Sequence, residues 1–266
     1  MTARDGRVLA RQNEIKVLRA LHRLGWARTR DLAALVWQAW ARRASGEPTL
    51  KVPEATASGL RMAQRTLRRL TTARQVLRAQ APDGSFIYAL AEAGARRLQV
   101  LGIAATTGKD MVRAFSSSHF RHRTTANEIA IGAIIEGFRA ASEREIAQDK
   151  WLGGVDGVAG KKPDVLLRGD DGRVWWVEVE RSRKNAKDYA KLLTWLGVVA
   201  ADAVGSSESK LLGDGLRWEK VIFVCTTAFQ LRLTRDLKAA GWKQGLLDAL
   251  VSFSTELYRF EDIMFS

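Results

Sequence analysis

The chain has 266 residues, 46% apolar and 27% charged, which suffices for one large core or two small ones and excludes a disordered chain. It carries 43 Lys and Arg against 29 Asp and Glu, a net charge of +14 that points to nucleic acid or another polyanion. The opening MTARDGRVLARQNE has no apolar run of the signal-peptide kind. The apolar stretch around Leu192 to Val204 is too short to span a bilayer and contains Asp202. Cys225 is the single cysteine, which excludes an intrachain disulfide and a Cys-based zinc site. We expect a cytoplasmic protein with no membrane partner.

The charge is unevenly placed. Residues 1–115 hold 21 Lys and Arg and 8 Asp and Glu, whereas 116–266 hold 22 and 21. A composition boundary therefore falls near residue 115, and TTGKD followed by SSS at 116–118 reads as a linker. Two domains are expected, 1–112 and 113–266.

In the first, Ile15, Leu18, Leu21 and Leu24 predict an amphipathic helix over 11–24, ended by Gly25. Thr29 or Asp31 can cap a second helix running to about Trp40. A polar loop with Gly46, Pro48 and Pro53 follows. A third helix starts near Thr56 to Ser58, with Leu60, Ala63, Leu67 and Leu70 on one face and Arg61, Arg65, Arg68 and Arg69 largely off it. QVLRAQ and SFIYAL, joined by Pro82-Asp83-Gly84, form a β-hairpin, and a helix over Glu92–Leu101 closes the unit. The segment LRRLTTARQVLRAQ–PDG–FIYALAEAGARRL resembles the winged helix-turn-helix family. That resemblance implies a recognition helix carrying Arg61, Arg65, Arg68 and Arg69 in the major groove of double-stranded DNA, with Arg78 on the wing beside the backbone. The alternatives are an ordinary solvated arginine face and a protein-contact use of the same module.

In the second domain a helix is expected over 119–140, with Ile131, Ile134, Ile135 and Phe138 buried. A strand near Arg144 to Ala147 follows, then the glycine-rich WLGGVDGVAG. KKPDVLLRG and RVWWVEVERS read as two strands about a short turn. Asn185 and Asp188 cap a helix to about Ala203, WEKVIFVCTT is a buried strand, 228–240 a helix and LVSFSTELYRF a last strand. The order α-β-β-β-α-β, then α-β, describes a mixed sheet with helices on its faces.

Hydrolysis of a phosphodiester needs charge neutralisation and an activated water, which Mg²⁺ or Mn²⁺ held by carboxylates supplies. Glu178 and Glu180, two apart on one strand, point to one face. If Asp170-Asp171-Gly172 is a three-residue turn with Gly172 left-handed, Gly169 pairs with Arg173 and Asp164 lies opposite Glu178. An even-length turn would put Asp164 opposite a valine. The alternative is an ordinary solvent face of a sheet, which Trp175, Trp176 and the valines argue against. Lys184, Lys187 and Lys191 follow at helical spacing, either gripping phosphates, with Lys187 a catalytic candidate, or forming a solvated face. Glu128 shares the inward stripe of its helix, as a metal ligand or in a salt bridge to Arg121, Arg123 or a strand residue. Glu143 and Glu145 are weaker candidates, and Cys225 reads as core.

HFRHRTTANEIA, KPDVLL and WVEVERSRK, in this order, resemble the replication-relaxation family, which joins a winged helix to a PD-(D/E)XK nuclease-like domain and includes the MOBC-type relaxases of mobile plasmids. The resemblance implies an α+β chain with an αβββαβ second domain and a relaxase-type DNA endonuclease or nickase. Asp164 and Glu178 would be metal ligands, Glu128 a completing one, and Glu180 would stand where the superfamily usually has lysine. His122 and Asn127 match the helix motif without an assigned role. Other mobilization or replication proteins are the further partners this implies; separately, the helix over 92–101 is a candidate homodimer contact that nothing in its composition requires. The competing reading is a DNA-binding accessory or transcription-regulatory protein whose nuclease-like domain no longer cuts.

Overall fold

The computed structural model describes residues 6–113, 117–180, 185–205, 207–213 and 215–256. It is a mixed α+β protein that divides into two compact units. Among the described residues, the first comprises 6–40 and Val52–Ile131, and the second Ala41–Lys51 and 132–256. The division thus falls after Ile131, well beyond residue 112, and assigns the polar segment Ala41–Lys51 to the second unit. Among the described residues no helix is long and apolar enough to cross a membrane.

The first unit opens with α1 (Gly6–Leu24), which buries Val17, Leu18, Leu21 and Leu24. The short strand β1 (Trp26–Arg28), absent from the sequence expectation, leads into α2 (Thr29–Trp37). There Asp31 accepts from the Arg28 backbone N–H at 2.8 Å, so it closes the helix start instead of preceding it. The helix ends three residues short of Trp40. Helix α3 (Ala57–Thr72) starts at Thr56, whose hydroxyl accepts from the Gly59 N–H at 3.0 Å, and buries Ala63, Thr66, Leu67 and Leu70. Strands β2 (Val76–Gln80) and β3 (Phe86–Leu90) form the hairpin, and Asp83 accepts from both the N–H and the hydroxyl of Ser85 at its tip. The sheet order is β1-β3-β2. Then come α4 (Glu92–Val100) and the short α5 (Lys109–Arg113), which occupies part of the expected linker; residues 114–116 lie outside the described residues.

Helix α6 (Ser117–Ile135) ends earlier than the expected 140, left-handed Gly137 follows it, and the chain enters β4 (Arg139–Ala141). The strand expected at Arg144–Ala147 is instead α7 (Glu143–Ala147). The Ser142 hydroxyl accepts from the Glu145 N–H, and the Glu145 carboxylate accepts from the Ser142 N–H at 3.0 Å. This reciprocal cap starts a helix where strand pairing would leave both groups to other partners. Strands β5 (Val165–Arg168) and β6 (Arg173–Glu180) pair antiparallel. After α8 (Ala186–Gly205) come β7 (Arg217–Cys225), α9 (Thr227–Ala239), the unforeseen α10 (Gln244–Leu250) and β8 (Val251–Ser254); the rest of the expected last strand, from residue 257, lies outside the described residues.

The sheet order is β4-β5-β6-β7-β8, antiparallel on the β4 side of β6 and parallel on the other. Strand β6 is therefore central and is buried from Val174 to Glu180. Trp175 meets Phe138 edge-on, with ring centroids 5.2 Å apart. On the opposite face Val174 and Trp176 pack with Tyr189, Leu192, Trp195 and Leu196 of α8 and with Phe223 and Cys225 of β7. Trp176 is the hub of this core, within 6.0 Å, centroid to centroid, of Trp151, Trp195 and Trp218.

Candidate functional site

The turn between β5 and β6 decides where the acids lie. Val165 pairs with Val177 and Arg168 with Val174, the Gly169 N–H donates to the Arg173 carbonyl at 3.0 Å, and Gly172 has φ +81°. This is the three-residue register, so Asp164 falls opposite Glu178. Glycine is required at 172 on two counts: the positive φ, and the carbonyl oxygen of Gly215, which would lie 2.2 Å from an added Cβ.

Glu178 and Glu180 share the face of β6 that carries Trp176, so they sit under α8 and not toward solvent. They are 4% and 6% exposed. Two cationic or polar donors hold Glu178: the Trp176 indole N–H at 2.6 Å and the Lys161 ammonium at 2.6 Å. Burial raises the Glu178 carboxyl above its ordinary value of 4.5. Lys161 opposes the rise, while the neighbouring Asp164 and Glu180 charges reinforce it. Asp164 lies just before β5, where its Oδ2 accepts from the Val179 N–H at 2.7 Å and its own N–H donates to the Val177 carbonyl at 3.0 Å. A side chain thus replaces a ladder carbonyl, which fixes the carboxylate beside β6. Glu180 faces Cys225 across the parallel pair, and burial together with the Glu180 charge pushes that thiol up to about 12. Cys225 is thus a protonated core residue and no nucleophile.

Lys161 escaped the sequence reading. It is delivered by a two-residue turn, Ala159-Gly160, in which Val158 and Lys161 exchange both backbone hydrogen bonds and the central residues have φ +48° and +75°. The Trp195 indole N–H donates to the Val158 carbonyl at 2.9 Å and anchors the turn to α8. The signal in the sequence was the Ala-Gly pair between Val158 and Lys161, hidden in a run of glycines. Lys187, the lysine expected to serve the acids, is exposed on the first turn of α8. It lines, with Lys161 and Lys191, a cavity of about 710 Å³ floored by Leu192 and Trp195. Lys184 lies outside the described residues. Asn185 and Asp188 cap α8 as expected, the Asp188 N–H donating to Asn185 Oδ1 at 2.8 Å.

Glu128 belongs to the first unit, where its carboxylate accepts from Arg28 and, at 2.6 Å, from Arg30. Of the two roles considered, the structure gives it the salt bridge, and to the β1 residue. Burial opposes the Arg28 charge, but Asp31 and Glu128 outweigh it and hold the guanidinium above its ordinary value. Asn127 donates to the Trp26 carbonyl at 2.8 Å, which ties α6 to β1. His122 is half-buried on α6. Glu143 and Glu145, placed on a strand by the sequence reading, are the first turn of α7.

Arg61, Arg65, Arg68 and Arg69 are all exposed on α3. Arg69 is drawn aside by Glu14, at 3.1 Å, which leaves Arg61, Arg65 and Arg68 as the outward row. Arg78 is exposed on β2 and lies over the Phe86 ring, 4.5 Å from its centroid.

Among the described residues no group of three or more His, Cys, Asp or Glu is placed to hold a metal ion. Mg²⁺, however, takes oxygen donors and is often held by one or two carboxylates plus water and substrate phosphate. Asp164 and Glu178 are of that chemistry: burial is the main cause of the raised Glu178 carboxyl, and a divalent cation would offset the Asp164 and Glu180 charges that add to it. No protein-family model, no curated protein and no solved structure matches the chain.

Proposed function

We propose that the chain is a relaxase-type DNA endonuclease or nickase of plasmid or mobile-element processing. Its first unit is read as a winged helix-turn-helix that binds double-stranded DNA, and its second as a PD-(D/E)XK nuclease-like domain. The observation that carries the reading is the register that sets Asp164 across from Glu178, with Glu180 on the same buried face. Like charges gathered at a buried strand are costly, and such groupings are found preferentially at functional sites.

Two further features support it. The order α1-β1-α2-α3-β2-β3 places an arginine-bearing helix directly before a hairpin, the arrangement in which a helix enters a groove and a wing flanks it. The order α6-β4-β5-β6-α8-β7, with α7 inserted, follows the αβββαβ pattern. Asp164 and Glu178 would hold Mg²⁺ or Mn²⁺, which when bound supplies charge neutralisation at the phosphate and a more acidic water. The protein's own contribution is to fix these carboxylates: Val179 N–H orients Asp164, and Trp176 N–H and Lys161 orient Glu178.

One observation favours a non-catalytic, DNA-binding accessory or regulatory role instead. The Lys161 ammonium already supplies Glu178 with a cation, and a carboxylate so paired can be purely structural. Calorimetric titration with Mg²⁺ separates the two. The nuclease reading expects binding by the intact chain that disappears in Glu178→Gln, and the regulatory reading expects no heat in either.

A further inference from the structure

The cavity that Lys161 shares with the acids is lined by three lysines and one aspartate on a largely apolar floor. Lys187 and Lys191, four apart, share a face of α8, and Lys161 faces them from the Ala159-Gly160 turn. The one acid on the lining, Asp188, is engaged by the Asn185 side-chain amide at 2.7 Å and lies 3.8 Å from Lys191. Lys187 sits in the first turn of a 20-residue helix, where the positive end of the helix dipole disfavours a cation. Two exposed ammonium groups, those of Lys187 and Lys191, therefore border one space, and the Lys161 side chain separates it from Glu178; an anion entering it would offset the two exposed charges.

The turn and the Trp195 floor are braced by the fold. Trp195 is held by Val158 and packed against Trp176. The turn is closed by two backbone hydrogen bonds, and Gly157, at φ +75°, approaches Lys161 so closely that a Cβ there would lie 2.5 Å from its carbonyl oxygen. Lys161 belongs to both places: its ammonium touches Glu178 and its side chain lines the cavity. At about 710 Å³ the space lies within the range of ligand-sized pockets and exceeds what a bare ion needs.

We infer that this cavity binds the phosphate backbone of a nucleic-acid strand next to the carboxylate pair, with Lys187 and Lys191 as its phosphate contacts and Lys161 linking it to Glu178. The inference rests on the proposed reading of the second unit, but it concerns binding and not cleavage. The test is equilibrium binding, in EDTA, of a labelled short single-stranded oligonucleotide to three forms of the full chain: unsubstituted, Lys187→Glu/Lys191→Glu, and Arg61→Ala/Arg65→Ala/Arg68→Ala. Both lysines are exposed, so the fold tolerates the change. The lysine variant is expected to lose roughly tenfold or more in single-strand affinity and to lower the salt slope by about 1.4, the value for two phosphate contacts on a single strand. Its duplex binding should stay with the α3 arginines. Unchanged affinity and slope overturn the inference. So does a cavity that inorganic phosphate or a nucleoside monophosphate stabilises against heat while the oligonucleotide is bound equally by both forms, which would make it a site for free phosphate. Loss of single-strand binding in the lysine variant of a chain that nicks nothing would sink the nuclease reading and leave this inference standing.

Discussion

At Glu178 the balance of burial, one lysine and two acids sets a pH dependence whose sign can be worked out. Its carboxyl is raised in the folded protein, so the fold binds this proton more tightly than the unfolded chain does. The stability linked to it is complete below the ordinary value of 4.5 and is lost as pH rises through the folded value. Chemical denaturation of the chain and of Glu178→Gln across that range should therefore diverge, the parent losing stability relative to the variant as pH climbs above about 4.5. Mg²⁺ should narrow the gap. Glu128 makes the opposite case. Its carboxylate compensates buried Arg28, so Glu128→Ala should destabilise the first unit by about 3 kcal/mol, since Asp31 remains as a partner. Melting curves should show the same loss with and without Mg²⁺; a loss confined to Mg²⁺ would restore Glu128 as a ligand. Sequence periodicity placed this residue inward but could not choose its partner, because Arg28 is 100 positions away and lies on a strand of three residues.

Elements, more than single residues, explain what could be read in advance. The β5–β6 turn was legible because a glycine that must be left-handed leaves one register, and a one-residue error would have moved every side chain to the other face. Gly172→Ala should consequently cost about 2 kcal/mol or more in thermal unfolding, since it combines a left-handed backbone with a clash against Gly215. A one-residue insertion beside it should leave duplex binding intact while Mg²⁺ binding is lost. The α3 start was legible for a similar reason, its hydroxyl cap. Arg144–Ala147 was not, because Ile146 among charged residues fits a short strand as well as one helical turn, and only the reciprocal Ser142–Glu145 bonds decide. What hid the rest of the site was distance in sequence: Lys161 precedes Glu178 by 17 positions, in a loop whose fold depends on Trp195 from a later helix. Ala159 keeps a left-handed backbone there at a cost of about 1 kcal/mol, so Ala159→Asn should raise the melting temperature by roughly 2–4 °C.

At the scale of the whole molecule, the proposed division is recognition in the first unit and chemistry in the second. The charge asymmetry was the first sign of this division, with the basic excess almost wholly before residue 115. Replacing Arg61, Arg65 and Arg68 by alanine should weaken duplex binding by roughly tenfold or more and flatten its salt dependence, as read by anisotropy at two salt concentrations. The same change should leave Mg²⁺ binding unaltered, because the carboxylates proposed to hold it, Asp164 and Glu178, lie in the second unit. The most direct measurement is nicking of supercoiled plasmid DNA, with Mg²⁺ or Mn²⁺, by the chain and by Asp164→Asn. Asparagine keeps an oxygen for the Val179 N–H, so the variant retains its fold and loses only the charge. Metal-dependent conversion to open circles is expected of the chain and not of the variant, while both bind the DNA equally. Equal nicking by both, or none by a chain that binds both the DNA and Mg²⁺, would contradict the nuclease reading.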